Sequence, residues 1–550
     1  MGTNNKFKYH ILSGILSATV VSMILIVHSC KKLEIERIAK VATGNVSHIT
    51  THSATITGNI MDIGETEITQ YGHCWHTEEN PEVEFAATTT LGMSDVTGNY
   101  TSEIDELQPG TQYFARAYVI SDDRISYGKN ISFSTNEVTL PEVTTDAPYD
   151  IGTNSATCGG NVISDGGGEV TMRGVCWSIA ADPVITNTHT SDGSGTGSFT
   201  SNLTGLSINS EYFVRAYATN SAGTAYGNQV SFITEKTKPV LTTGEIGLLT
   251  DKSVRIGGNI TSDGGAEIVE RGICWNITQN PDIYDNKIPA VTGISEFFCD
   301  IEGLLPNTVY HCRAFATNEI GTSYGDDMEF KTYGVMDIDG NGYYSVIIGA
   351  QEWMQQNLST THYADGSSLI DGSEAGDITD NFVSKYYFAN CNDENNVADY
   401  GRLYTWAAVM NGSSSSSTNP SGVTGVCPQG WHVPSDAEWM ELEIFLGMST
   451  LEAEQKFDRG TDEGGKLKST SYFWAPNTGA TNESGFNAIP GGDRGSEGNF
   501  NYVGGFAVYW SATESYSQAA YIRGLEYNKA TVNRWDHFKY YGFSVRCIKD

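Results

Sequence analysis

Tyr212-Phe213-Val214-Arg215-Ala216-Tyr217-Ala218 alternates in a way that decides the fold of most of this chain. With a strand period of two, Tyr212, Val214, Ala216 and Ala218 share one face, while Phe213, Arg215 and Tyr217 share the other. The first set reads as the core face. The same strand recurs: Tyr113, Tyr212 and Tyr310 are 99 and 98 residues apart, and Arg116, Arg215 and Arg313 keep those offsets. Cys74-Trp75, Cys176-Trp177 and Cys274-Trp275 mark a second recurring strand, as do Tyr127-Gly128, Tyr226-Gly227 and Tyr324-Gly325 a third. A period near 100 residues is one sandwich domain. Leu107, Leu206 and Leu304 each precede the tyrosine by six residues. Asp165-Gly166-Gly167 and Asp263-Gly264-Gly265 supply turns.

These features resemble fibronectin type III domains, in which such a tyrosine closes the corner between two sheets. The resemblance covers three copies, 40–136, 140–235 and 238–333, although the family's Trp on the second strand is absent. His73 lies on the face of Trp75, where Val175 and Ile273 stand in the other copies. A histidine there suggests the outer face, which would place Cys74, Cys176 and Cys274 inside as small buried hydrophobes. Parity also directs Cys299 and Cys312 inward, so a Cys299–Cys312 disulfide across the sheets is one pairing, with Cys274 competing. Cys158 with Cys176 is another. No copy carries an RGD, a metal-spaced His cluster or a nucleophile motif, so a spacer role follows. Strands of this length reach roughly 30 Å per domain. The short Pro-bearing joints Glu137–Pro141 and Glu235–Pro239 favour a semi-rigid rod.

Composition agrees with this class. The 550 residues hold 60 Gly against 14 Pro, 11% aromatics and 18% charged residues, the pattern of a folded, turn-rich β protein rather than a disordered one. A net charge of −34 argues against nucleic acid as a partner, since phosphate binding needs clustered Lys and Arg. Ten cysteines are too few for a disulfide-built fold.

The amino terminus sets the compartment. Lys6 and Lys8 precede an uncharged, mostly apolar run from Ile11 to Val27, then Val27-His28-Ser29-Cys30. This resembles a bacterial lipoprotein signal, implying a signal peptide at 1–29, acylation (palmitate) of Cys30 and a tether at 30–39. Several acyl chains anchor stably, at about 0.8 kcal/mol per buried CH₂. The expected location is the outer membrane, facing the exterior, with the lipid anchor as the membrane contact.

From Val335 the composition changes, and seven of the ten Trp lie beyond it. Asp337-Ile338-Asp339-Gly340-Asn341-Gly342 invites a calcium loop, but an EF-hand starting at Asp337 needs Glu where Ile348 stands. A hairpin turn around Gly340-Asn341 is the better reading. Ser435-Asp436-Ala437-Glu438 is a capping box, followed by a stripe of Trp439, Leu442, Phe445 and Leu446 and a stop at Gly447.

Six motifs in order resemble the Fibrobacter succinogenes major paralogous (FISUMP) domain over 334–550. They are Ile348-Gly349-Ala350-Gln351-Glu352-Trp353-Met354 with Asn357-Leu358; Tyr400-Gly401-Arg402-Leu403-Tyr404-Thr405-Trp406; the run Cys427-Pro428-Gln429-Gly430-Trp431-His432-Val433-Pro434-Ser435; Gly485-Phe486-Asn487-Ala488; Trp510-Ser511-Ala512-Thr513; and Ser544-Val545-Arg546-Cys547. That family occurs mostly in secreted or surface lipoproteins. Val433 to Trp439 and Gly542 to Cys547 also look like formylglycine-generating enzymes, which implies an α+β, C-type-lectin-like fold and, by analogy, a Cys427–Cys547 disulfide with Cys391 unpaired. The enzyme's copper-holding cysteine pair is missing, because no Cys lies between 427 and 547. The tripeptides of calcium-dependent sugar binding are missing too. The expectation is therefore a non-enzymatic protein with no cofactor and no metal.

As an adhesin or glycan- or surface-protein-binding head, it would use Trp474, Asn482, Arg494, Asn499, Tyr502, Tyr509 and Trp535, which lie in loop-like, glycine-rich stretches. Aromatic rings cover apolar sugar faces and the polar groups bond hydroxyls. The alternatives are a structural part of a surface assembly and a polysaccharide hydrolase, which would need two flanking carboxylates.

Overall fold

The computed structural model describes residues 36–471 and 475–550. Cys30 and Trp474 lie outside the described residues. One compact unit holds the first sandwich and most of the second. The other holds the third sandwich and the C-terminal domain, with two short segments of the second, Ile151–Ser155 and Thr204–Glu211.

The third sandwich shows the plan. Val240–Gly247, Ser253–Ser262 and Glu296–Glu302 form a three-stranded antiparallel sheet. It faces a second sheet of Asn286–Ala290, Glu270–Asn276, Val309–Asn318 and Gly321–Tyr324, with Met328–Lys331 also on Val309–Asn318. Tyr310, Cys312, Ala314 and Ala316 all point into the core, as alternation requires. The Tyr310 hydroxyl accepts from the Leu305 backbone N–H at 3.0 Å, and Tyr113 does the same with Gln108 at 3.0 Å. These are fibronectin-III-like sandwiches with a tyrosine corner.

The Cys-Trp strand runs with the opposite parity to that expected. Trp275 pairs with Cys312 and Ile273 with Ala314, while Cys274 pairs with outward Arg313. Directly paired residues share a face. Trp75 and His73 therefore face the core, and Cys74, Cys176 and Cys274 lie on the outer face, buried beneath the following loop. Their thiols donate to the Pro81, Pro183 and Pro281 carbonyls at 3.2, 3.4 and 3.3 Å. His73 is fully buried, with Nδ1 2.8 Å from the Ser102 hydroxyl. Burial holds its pKa down to about 4, so it sits in the core as a neutral ring.

Cys299 and Cys312 are not bonded to each other. Cys299 Sγ donates to the Ile288 carbonyl and Cys312 Sγ to that of Met328, at 3.8 and 3.5 Å, and both thiols are buried. Cys158 and Cys176 are free as well. Burial pushes the Cys312 thiol up to about 12, which keeps it inert.

The C-terminal domain is fastened to the third sandwich. Val335–Met336 pairs with Gly342–Tyr343, making the expected hairpin, and Gly334 N–H donates to the Tyr343 carbonyl at 2.8 Å. The Tyr333 and Tyr344 rings meet at 4.8 Å. Beyond the hairpin, Gln351–Met354 pairs with the last strand, Ile548–Lys549, through Trp353 and Ile548. Cys427 and Cys547 form a disulfide across 120 residues with Cα atoms 5.9 Å apart.

The central element is an antiparallel sheet of Phe506–Tyr516, Ala519–Glu526, Val532–Phe538 and Phe457–Arg459. Helix Asp436–Phe445 packs on one face of it. The capping box is present, with Glu438 N–H 3.2 Å from Ser435 Oγ and Ser435 N–H 2.9 Å from Glu438 Oε2. Trp439 and Leu442 are buried, but Phe445 is 62% exposed. The helix instead turns Asp436 and Glu443 toward the sheet, where Arg523 and Arg534 stand opposite each other on neighbouring strands. Asp436 accepts from Arg523 at 2.7 Å and from Arg534 at 2.6 Å; Glu443 binds Arg523 at 2.7 Å and also Arg459.

His432, fully buried beside this helix, bridges Glu438 Oε1 and Asp550 Oδ1, each at 2.7 Å. Burial alone would lower its pKa, but the two carboxylates raise it above the usual value. A raised folded-state pKa means the clasp stabilises fully below the ordinary histidine pKa and fades as pH climbs through the raised value. His432→Gln is therefore expected to lower the head domain's melting temperature more at pH 6 than at pH 9. An equal loss at both would contradict a charged clasp.

Candidate ligand-binding cleft

Alternation gives the central sheet two different faces. Ala507, Tyr509, Arg523, Leu525, Val532 and Arg534 point toward the helix. Phe506, Val508, Ile522, Asn533, Trp535 and His537 point the other way and line a cleft of about 620 Å³. Cross-strand pairing aligns Val508 with Gly524 and Asn533, and Trp510 with Ile522 and Trp535. Gly524 has no side chain for a reason: a Cβ there would lie 2.6 Å from the Phe506 ring and 3.3 Å from the Asn533 Cβ.

The walls are aromatic. Tyr502, Tyr516, Tyr527, Phe538 and Phe543 complete the ring set begun by Phe506 and Trp535. Trp535 is 46% exposed, Tyr516 48% and Tyr502 70%. Isolated exposed apolar residues are ordinary; here these three exposed rings stand around one concavity. Trp535 is braced by Phe457 edge-on at 5.1 Å, and His537 by Tyr541 at 3.9 Å. Burial lowers the His537 pKa to about 4, so the ring is neutral at pH 7.

Two carboxylates complete the cleft, Asp493 and Glu526; Asp536 borders it, but alternation with Trp535 and His537 sends its carboxylate to the Arg534 face. Asp536 accepts from Ser515 Oγ at 2.6 Å and Lys456 Nζ at 3.0 Å. Glu526 accepts from Lys529 Nζ at 2.8 Å. Asp493 is 7% exposed, and its carboxylate accepts from Asn501 Nδ2 at 3.0 Å; burial raises its pKa. The Asn533 side-chain oxygen is buried with no partner.

Two of the predicted residues, Tyr502 and Trp535, come together here. Asn499 is exposed at the turn of the hairpin Asp493–Arg494 and Phe500–Asn501, where its carbonyl accepts from Gly495 N–H at 2.8 Å, but it does not line the cleft. Asn482 braces its own loop by accepting from Asn487 N–H at 2.9 Å. Arg494 and Tyr509 are corrected: both are buried and unable to meet a ligand. Arg494 donates to the carbonyls of Gly495 and Ser496 at 2.8 and 3.1 Å and to that of Gly376, lying over the Phe388 ring. Tyr509 faces the helix because it alternates with Trp510 on a strand packed on both sides. The sequence reading missed Asn533, His537 and Phe506. The alternation Asn533, Trp535, His537 was the available signal. Among the described residues no group of three or more His, Cys, Asp and Glu side chains is arranged to hold a metal ion.

The chain is thus a multidomain protein of fibronectin-III-like sandwiches followed by a mixed domain with an aromatic cleft. Residues 346–549 match the family model described as the Fibrobacter succinogenes major domain, and the chain carries a domain of that family. No curated protein matches the chain. Among solved structures it is similar to the chicken CNTN1 FN1–FN3 domains at 13% identity, over 53% of this chain and 98% of that one. The TM-score is 0.16, so this likeness adds nothing to the strand topology described above.

Proposed function

We propose that this is a lipid-anchored lipoprotein of the outer membrane, facing the exterior, in which the three sandwiches act as a spacer for a non-enzymatic head that binds a glycan. One observation carries the reading: the cleft of about 620 Å³ lined by seven aromatic side chains, of a size typical for ligand sites. Flat rings suit the apolar faces of sugars, and Glu526 is placed to bond hydroxyls. The head's architecture is read as C-type-lectin-like. The pairing of Gln351–Met354 with the last strand and the disulfide from the segment before the helix to near the chain's end support that reading.

Two measurements test this. The anchor reading expects radiolabelled palmitate in the mature protein and its loss in Cys30→Ala. A mature chain without lipid that keeps its apolar amino terminus would contradict it. A glycan array probed with the whole mature chain is expected to give saturable binding without turnover. Release of sugar products would instead favour the hydrolase, and no glycan bound would favour a part in a surface assembly.

A further inference from the structure

We infer that the cleft selects glycans carrying a free amine over neutral and acidic ones, an inference that rests on the glycan-binding reading above. Among the described residues no Lys or Arg lines the cleft, while Asp493 and Glu526 do. The neighbouring cations are already committed. Lys456 pairs with Asp536, Lys529 with both Glu526 and Asp458, and Lys539 with Glu514. Arg534 lies on the opposite face of the sheet with Asp436. Lys529 thus offsets Glu526, and Asp493 is left with an amide as its side-chain partner. Its raised pKa reports an ionised form that an added cation would stabilise.

The ring walls also favour a positively charged ligand. Aromatic faces carry negative electrostatic potential and attract ammonium groups. His537 adds no positive charge at pH 7, because burial keeps it neutral. At longer range, the net charge of −34 opposes the approach of uronic or sialic acids.

The test is calorimetric titration of the mature full-length chain with three tetrasaccharides: glucosamine, its N-acetylated counterpart and a uronate of equal length. The glucosamine oligomer is expected to bind about tenfold more tightly than the acetylated one, with the preference shrinking as salt is raised. The uronate is expected not to bind. In Asp493→Asn the ratio between the first two should fall toward one. Equal affinity for both, or tightest binding of the uronate, would overturn the amine preference while leaving glycan binding in place. Binding of none of the three would overturn the glycan reading and this inference with it.

Discussion

Asp436→Ala is expected to cost the C-terminal domain about 3–5 kcal/mol, read as a shift in its urea transition, because removing one partner strands buried opposite charges. Asp436 is 5% exposed and sits between Arg523 and Arg534, which are 1% and 8% exposed. Without it, Arg523 keeps Glu443, which it shares with Arg459, and Arg534 keeps only backbone carbonyls and the Tyr521 ring. Burial would raise the Asp436 pKa, but the two guanidinium groups hold it down to about 2. A depressed folded-state pKa stabilises above the ordinary carboxylate pKa and is lost as pH falls through the depressed value. The wild-type domain should therefore lose this contribution between about pH 4 and 2, whereas Asp436→Ala should show a flatter acid limb. A loss below about 1 kcal/mol would mean that the network is solvated rather than buried.

Cys427→Ser is expected to destabilise the same domain by about 2–5 kcal/mol, since the disulfide closes a loop of 120 residues and restricts the unfolded chain. The bond joins the segment before the helix to the residue just ahead of the last strand, and both cysteines belong to the main core. The reduced double variant Cys427→Ser with Cys547→Ser should melt like the single one. Free thiols at both positions in the folded protein would contradict the bond.

The sandwiches were legible because their period, tyrosine corner and core alternation all repeat. The facing of the Cys-Trp strand is not legible, because a histidine in its alternation points to a surface position and His73 does not occupy one. His73 shows that a neutral, bonded imidazole can occupy the core. The capping box and the buried Trp439, Trp510 and Cys427 were also local enough to read. The ionic network was not. Asp436 and Glu443 look like solvated helix residues, and Arg523 and Arg534 lie 87 and 98 residues from Asp436. The cleft was half legible: Trp535 and Tyr502 belong to it, but glycine-rich surroundings alone did not separate them from buried Arg494 and Tyr509. Only the pairing of three strands shows which side chains share its face.

Whether the aromatic cleft is the binding site is tested most directly by an isothermal titration of the full chain and its Trp535→Ala variant with the tightest glycan found on the array. Trp535 is 46% exposed, so its removal should leave the fold intact. Binding at least tenfold weaker is expected, the loss of about 1.4 kcal/mol of stacking energy. Unchanged affinity with an unchanged melting temperature would place the binding site elsewhere.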